Sequence, residues 1–289
     1  MSNANAAMSS DAEIATVTRV QPAKVSYGPV AVARVRAEIY SFFREKSSLV
    51  FTLIFPVFLL IIFGALFGNS SDVAPGVGYI NYLVPGMIAA GLMTTSFQNL
   101  AITIPIERDS GLLKRLRGTP MPKSAYFLGK VILVLILSLI STILMLVVAL
   151  IFYDVSLPAT VTKWLVFLAV LLLGVAACTL VGIAFSSIPK TGRGAPAMVT
   201  PIALLLQFIS GVFLPFTQLP DWLQTIGALF PLKWMAQGLR YVFLPDAAKA
   251  AEAAHSFELD RVFLLLGAWA VVGLVLCVLT FRWRTKTDG

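Results

Sequence analysis

Six segments of the chain are continuous apolar runs of about the length that a bilayer requires. They lie at roughly 49–67, 81–105, 131–153, 165–187, 195–214 and 262–281. A helix that crosses a bilayer needs about 20 predominantly apolar residues, whereas the strands of a membrane β-barrel show alternating hydrophobicity. The pattern therefore predicts an all-α, polytopic membrane protein with six transmembrane helices.

The second and fifth runs differ from the others because they carry several polar side chains. We interpret polar and aromatic positions in these runs as a candidate substrate path: Thr94, Gln98, Asn99, Gln207, Ser210 and Phe213. Thr94 and Gln98 are spaced i, i+4, so they share one face of a helix. Hydrogen bonding between helices, worth about 0.6 kcal/mol for each bond, is an equally good explanation of the polar positions, and core packing is at least as good an explanation of Phe213.

Two segments outside the six runs are predicted to lie in the membrane interface. Residues 28–46 place apolar side chains at three- and four-residue spacing, which predicts an N-terminal interfacial amphipathic helix. Residues 221–244 are too apolar for a solvated loop and too interrupted for a span, which predicts a re-entrant helical hairpin in the outer leaflet. Residues 245–260 are expected to form a polar surface connection, where substitution of Lys249 or Glu252 should be silent.

Basic residues are distributed unevenly between the two sides that six spans would define. The side of the termini holds 17 of the 22 lysines and arginines, whereas the 14 acidic residues are divided equally. Because basic residues accumulate on the cytoplasmic side, both termini are expected in the cytoplasm of a bacterial plasma membrane. The chain then divides into a disordered cytoplasmic tail at 1–27, a transmembrane permease domain at 28–282 and a cytoplasmic C-terminal tail at 283–289.

Composition supports lipid as the solvent of the chain and excludes several classes of function. The chain is 58% hydrophobic and 12% charged, with a mean hydropathy of +0.88, whereas a soluble domain carries about 25% charged residues. The single histidine, His255, and two cysteines within apolar runs cannot build a metal site. Because the net charge of +8 is concentrated on one side, we expect a lipid bilayer and no nucleic acid as the partner.

The segment 107–130, which follows the second run, is both charged and rich in leucine. Its apolar ridge consists of Leu112, Leu113 and Leu116. A leucine ridge in the cytoplasm requires a groove on a partner, and an ordinary basic loop would not explain it. Glu107 is expected to cap the ridge helix, or to pair with Arg108 or with a basic residue of the partner.

This segment resembles the signature of type 2 ATP-binding-cassette permeases, an E-R-x-x-G-x-L-x-x-L-x-x-[TS]-P-like stretch. The matching residues are Glu107, Arg108, Gly111, Leu113, Leu116, Thr119 and Pro120. The blocks ISGVFLPFTQLPDWLQ at 209–224 and FPLKWMAQGLRYVFL at 230–244 are similar to the family's stretches after the fifth span and before the last span. The resemblance covers about 28–282 and is greatest to the drug-exporter branch related to daunorubicin-resistance permeases.

The resemblance implies the membrane subunit of an efflux transporter, with antibiotic resistance as one consequence of exporting a lipophilic drug-like or lipid-like substrate. Two separate ATPase subunits would hold the ATP and magnesium, and a second copy of this chain or a homologous permease would complete the path. The implied ATPase-coupling residues are Glu107, Arg108, Gly111, Leu112, Leu113, Leu116, Thr119 and Pro120.

The chain itself is expected to be no enzyme and to bind no cofactor, because it contains no Gly-x-x-x-x-Gly-Lys-Ser/Thr phosphate loop. Two alternatives remain open: a non-pumping membrane scaffold or assembly factor, and a secondary carrier. A proton-coupled carrier usually has an acidic residue or a histidine within its spans, and the six runs have none.

Overall fold

The computed structural model describes residues 26–68, 72–119, 121–153 and 155–280, leaving aside the side chain of Arg117. Within these ranges the chain is almost entirely helical and has no β-strand, apart from an isolated bridge between Ala74 and Val77. The prediction of an all-α protein is confirmed for this part of the chain. The predicted tails lie outside the described residues, except for Ser26 and Tyr27.

The helices are numbered here in chain order. They are α1 (Tyr27–Arg44), α2 (Lys46–Phe67), α3 (Tyr79–Asp109), α4 (Leu112–Arg117), α5 (Lys123–Tyr153), α6 (Val161–Phe185), α7 (Gly194–Ile209), α8 (Asp221–Gly227), α9 (Pro231–Phe243) and α10 (Leu259–Thr280). Short 3-10 turns occupy Phe216–Gln218 and Asp246–Ala251. Helices α2 and α3 each contain one π-helical turn, at Val50–Ile54 and Thr94–Gln98.

Five of the described helices, α2, α3, α5, α6 and α10, are long and apolar enough to cross a membrane. They correspond to the predicted spans one, two, three, four and six. The predicted fifth span forms α7, which has 16 residues and is therefore about 24 Å long at 1.5 Å per residue. The hydrocarbon core of a bilayer is about 30 Å thick, so α7 is short by this measure, and an irregular segment follows it.

Helix α3 is the central element and packs against α2, α5, α6, α7 and α9. A small residue allows the segment after α7 to approach α3 closely, because a Cβ atom added at Gly86 would lie 2.7 Å from the carbonyl oxygen of Val212. Thr95 of α3 also shares a hydrogen bond of 2.8 Å with Ser138 of α5. The neighbouring helices are thus positioned against α3 by both close packing and polar contacts.

The two segments that were predicted to lie in the interface are helical. Helix α1 packs along α5. Residues 221–244 form α8 and α9, joined by a turn at 228–230, and α9 packs against α3, α6 and α10. We name the two ends of the bundle after these helices. The α4 end contains α1 and α4, and the α9 end contains α8 and α9.

The prediction of a surface connection at 245–260 is wrong in part. Ala248, Ala251 and Phe257 are buried, and they form a small apolar cluster with Val77 and Tyr82. Alanine is often fully buried in proteins, so a run of alanines does not by itself indicate an exposed loop.

Candidate functional site

A groove of about 600 Å³ lies between α2, α3 and α7. Four of the six predicted path residues line it: Thr94, Gln98, Asn99 and Gln207. Thr52 and Thr200 add hydroxyl groups, and Phe51 and Phe55 add aromatic surface. Pockets that bind small molecules are typically about 300–1,000 Å³ and combine apolar walls with a few polar groups. The groove has both properties.

Both π-helical turns of the described chain border this groove. Val50–Ile54 contributes Phe51 and Thr52, and Thr94–Gln98 contributes its first and last residues. A π turn inserts one extra residue into a helix and often marks a functional site. In α3 the hydroxyl of Thr94 donates a hydrogen bond of 2.9 Å to the carbonyl oxygen of Ala90, which helps to satisfy the backbone beside the distortion.

Ser210 and Phe213, the other two predicted path residues, lie beyond the groove: Ser210 directly follows α7, and Phe213 lies in the irregular segment after it. Both are buried. The ring of Phe213 stacks on Phe63 of α2, with centroids 5.2 Å apart, and contacts Phe208 at 4.9 Å. These contacts place Phe213 in the packing at the α9 end of the groove.

The irregular segment 211–216 is held by side chains of α3 and α9. Arg240 donates a hydrogen bond to the carbonyl oxygen of Gly211, and Tyr79 donates one to the carbonyl oxygen of Phe213. The hydroxyl of Tyr82 accepts a hydrogen bond of 3.3 Å from the backbone amide of Phe216. Because buried backbone polar groups need partners, these three side chains allow a non-helical segment to exist inside the bundle.

Arg240 is buried together with its counter-charge, Glu252. Both side chains are 1% exposed, and the guanidinium lies 3.2 Å from the carboxylate and 3.8 Å from the centre of the Tyr82 ring. Glu252 is therefore not a surface residue, and the basis for expecting a silent substitution there is wrong. Lys249 does lie at the surface, where its hydrogen bond to Asp246 lowers the pKa of that exposed carboxyl group.

The predicted coupling segment forms the last turn of α3, a bend and then α4. The bend is made by Gly111, whose φ of +75° is in the left-handed region that favours glycine. Glu107 lies within α3, and no side chain caps α4. The expected cap by Glu107 is therefore wrong, because the helix of the second span continues past the apolar run to Asp109.

The leucine ridge of α4 is only partly available to a partner. Leu113 is buried within the chain, whereas Leu112 and Leu116 are half-buried. Thr119 is exposed and donates a hydrogen bond of 2.6 Å to the carbonyl oxygen of Leu116. Pro120 lies outside the described residues.

Arg108 and Asp109 contact the loop between α6 and α7. The guanidinium of Arg108 donates hydrogen bonds to the carbonyl oxygens of Ser186, at 3.4 Å, and of Pro189. The carboxylate of Asp109 accepts a hydrogen bond from the backbone amide of Gly192. The end of α3 is therefore fastened to the loop from which α7 begins, so a displacement of one would be transmitted to the other.

Lys130 of α5 joins α1 to the end of α3. Its ammonium group lies 2.9 Å from the carboxylate of Glu38 on α1, and it also pairs with Glu107. The hydroxyl of Tyr126 donates a hydrogen bond of 2.7 Å to Glu107, and Arg34 pairs with Glu38. We call these five residues the Lys130 network; its two cations and two carboxylates balance in charge, as burial requires.

Comparison with known proteins identifies the family. Residues 30–244 match the family model described as ABC-2 type transporter, which is well over half of the chain. The chain belongs to the ABC-2 type transporter family. It is 28% identical over 208 residues to the "Inner membrane transport permease YadH" of Escherichia coli, which covers 72% of this chain and 80% of the relative.

Two further relatives extend the comparison of this ABC-2 chain. The "Putative transport permease ycf38" of Porphyra purpurea is 27% identical over 203 residues, or 69% of each chain. The protein of the same name from Cyanophora paradoxa is 24% identical over 243 residues, covering 82% of this chain and 81% of the relative. The family assignment agrees with the resemblance identified in the sequence, at the level of the ABC-2 permeases.

Sequence reasoning missed two groups of polar residues in this ABC-2 chain. Lys130 is the last residue of the charged segment 107–130, but in the structure it lies within the helix that begins at Lys123, directly before an apolar run. Arg240 lies in segment 221–244 and Glu252 in segment 245–260, and nothing in their spacing pairs them. A charged residue next to or inside an apolar segment is the signal that would have directed attention to each, because such a charge needs a buried partner.

Proposed function

We propose that this chain is the six-span membrane subunit of an ABC efflux transporter and that it exports a lipophilic drug-like or lipid-like substrate. The observation that carries the proposal is the groove between α2, α3 and α7, with its mixed polar and apolar wall. ABC-2 membership supports an ATP-driven transport role in general. The drug-exporter branch and a part in antibiotic resistance rest on the resemblance of the sequence motifs.

In this proposal α7 is the fifth of six spanning helices in chain order, completed by the irregular segment that follows it. Non-helical backbone is tolerated at membrane depth where it is buried in protein. Here the side chains of Arg240, Tyr79 and Tyr82 form hydrogen bonds with the backbone of this segment. The α4 end faces the cytoplasm together with both termini, in agreement with the excess of basic residues. Helix α1 lies in the inner interface, and α8 and α9 form a re-entrant hairpin in the outer leaflet.

A second permease, either another copy of this chain or a homologue, closes the open side of the groove. The groove is walled by three helices and is only partly enclosed by a single chain. Two such grooves facing one another would form a central path between the permeases. Substrate enters this path through contacts with Gln98 and Gln207 and leaves past Phe213 at the α9 end.

The energy comes from two ATPase subunits, which bind the ATP and magnesium and dock on α4. The half-buried Leu112 and Leu116 offer apolar contacts next to the exposed Lys114 and Arg115. A displacement of α4 is transmitted to α3 through the bend at Gly111. From α3 it is transmitted to α1 and α5 through the Lys130 network. A complete switch between inward and outward states, from 1:99 to 99:1, requires about 5.5 kcal/mol.

The proposal is tested by purifying the chain from its native membrane and identifying every protein that remains bound. We expect a phosphate-loop ATPase, and we expect ATP-dependent uptake of a lipophilic dye when both are reconstituted in vesicles. Hydrolysis of ATP by the chain alone would contradict the proposal. ATPase binding without any transport would favour a membrane scaffold, and uptake driven by an ion gradient without an ATPase would favour a secondary carrier.

A further inference from the structure

A second cavity, of about 220 Å³, lies behind the groove, on the other face of α3 and α7. Its walls come from α3, α6, α7, the start of α9 and α10, and every side chain that lines it is apolar in character. Met93 and Phe97 of α3 border this cavity, whereas Thr94 and Gln98 border the groove. The two spaces therefore differ in chemistry although they share the same helix: the wall of the groove is mixed, and that of the cavity is apolar.

The roof of this cavity is the turn between α8 and α9, and its polar atoms already have partners. The indole of Trp234 donates a hydrogen bond of 2.7 Å to the carbonyl oxygen of Ala228, and the indole of Trp269 donates one of 2.7 Å to that of Leu229. The ring of Phe230 stacks on Trp269 with centroids 6.4 Å apart. A ligand in the cavity would meet rings and aliphatic chains, and water would find no hydrogen-bonding partner.

Helix α7 is the wall that separates the two spaces. Thr200, Leu204 and Gln207 line the groove, whereas Ile202 and Leu206 line the second cavity. Helix α7 packs against α3 and α8. The second cavity is only partly enclosed, and two of the helices that line it also carry exposed apolar residues, such as Leu205 of α7 and Val272 of α10.

We propose that this second cavity binds one acyl chain of a bilayer phospholipid. An apolar cavity of about 150 Å³ is large enough to bind benzene and stays dry, so the larger space here accepts several methylene groups of a hydrocarbon chain. A second permease is not the occupant if it closes the groove, because it would then approach α7 from the opposite face; this step rests on the proposed function. Bilayer lipid is the apolar material that reaches the other face.

A bound acyl chain would support α7 from behind and so set the width of the groove. Without it, α7 would have space on both faces, because the residues at 202 and 206 would face an empty cavity. Empty apolar volume is costly, since the lining atoms lose their dispersion contacts. The acyl chain is therefore expected to act as a structural ligand that keeps the groove open to substrate.

The test uses the full chain in vesicles of phosphatidylglycerol that carries a photoreactive diazirine on one acyl chain. After irradiation, we expect mass spectrometry to find labelled peptides that contain the lining residues of α6 and α7. The same lipid with the diazirine on its head group should not label these peptides. Head-group labelling of the lining equal to acyl-chain labelling would overturn the proposal.

A matched pair of variants on α7 tests whether the labelling comes from the cavity. Ile202→Phe fills the cavity and should reduce acyl-chain labelling of the α6 wall to background. Leu205→Phe makes a comparable change on the exposed face and should leave it unchanged. If Ile202→Phe does not fold, Val181→Phe fills the same space from α6, with labelling read on α7. Equal labelling in the cavity-filling and surface variants would mean ordinary contact with bulk lipid and would overturn the proposal, whether or not the chain transports.

Discussion

The ammonium group of Lys130 pairs with the carboxylate of Glu107, although the two residues stand on different helices and 23 positions apart. Lys130 is only 2% exposed and also contacts Glu38, so one buried cation bridges two carboxylates from two further helices. Removing one member of a buried ionic group leaves the others without compensation. The Lys130 network therefore stabilises the α4 end of the bundle while it connects α1, α3 and α5.

Replacing Lys130 by methionine should destabilise the chain strongly. Two carboxylates would lose their shared partner, and the loss is expected to approach about 3–5 kcal/mol, reduced because Glu107 remains 17% exposed. The measurement is the midpoint of thermal unfolding of the purified chain in detergent, which should fall by several degrees.

Lys190→Met is the matched control for this prediction, because Lys190 is exposed, and it should be nearly neutral. Adding Glu107→Gln to the Lys130→Met chain should recover part of the loss, since one uncompensated carboxylate then becomes a neutral amide that still accepts a hydrogen bond from Tyr126. Equal midpoints for Lys130→Met and Lys190→Met would show that the network contributes nothing to stability.

Replacing Glu252 by alanine should also be destabilising, whereas replacing Lys249 should not. Glu252 is the counter-charge of Arg240, which in turn holds the backbone of Gly211. Its loss should cost about 3–5 kcal/mol and loosen segment 211–216. Limited proteolysis measures how accessible segment 211–216 becomes to a protease. Thermal unfolding measures the stability of the whole chain. A Glu252→Ala chain as stable as Lys249→Ala would contradict the buried pair.

The apolar runs of the sequence were sufficient to predict the all-α architecture. A helix that spans a bilayer has an uninterrupted apolar sequence, because its backbone groups are paired within the helix and its side chains face lipid. The same reasoning identified Thr94, Gln98, Asn99 and Gln207, which share the groove. Polar residues within an apolar run are few, so each is informative without knowledge of the fold.

Contacts between distant parts of the chain were beyond such reasoning. Glu38 and Lys130 are 92 positions apart, and only the packing of α1 on α5 brings them together. The end of α3 also differs from the prediction. The apolar run ends at about residue 105, whereas the backbone hydrogen bonds of the helix continue to Asp109. Glu107 was consequently assigned to the wrong helix.

The orientation of the chain can be tested with single cysteines in a background that carries Cys178→Ala and Cys277→Ala. Ala254→Cys, at the α9 end, should be labelled by a membrane-impermeant thiol reagent in intact cells, whereas Ser124→Cys, at the α4 end, should not. Both positions are exposed, so a difference in labelling would report the side of the membrane. After permeabilisation both should react. Labelling of Ser124→Cys in intact cells would contradict the proposed orientation and would show that the α4 end does not face the cytoplasm.

The bend before α4 allows a sharper test of coupling, because the helix has a glycine at each end. Gly111 has a φ of +75°, and a Cβ atom added there would meet no atom within 4 Å. Alanine at 111 would therefore introduce backbone strain without a steric clash. Gly118 has a φ of −77°, and its added Cβ atom would make an ordinary contact of 3.5 Å, so alanine fits at 118 without strain.

Gly111→Ala should impair the docking of α4 on the ATPase, whereas Gly118→Ala should not. The left-handed conformation costs an alanine about 1–2 kcal/mol, and if the bend relaxes to avoid this cost, the fraction of correctly oriented α4 falls by about 5- to 30-fold. Co-purification of the ATPase and ATP-dependent dye uptake in vesicles should both decrease in Gly111→Ala, with membrane insertion unchanged. Gly111→Pro should abolish both, because proline fixes φ near −65°. Normal ATPase binding and uptake in Gly111→Ala and Gly111→Pro would mean that the orientation of α4 is not what couples the two subunits.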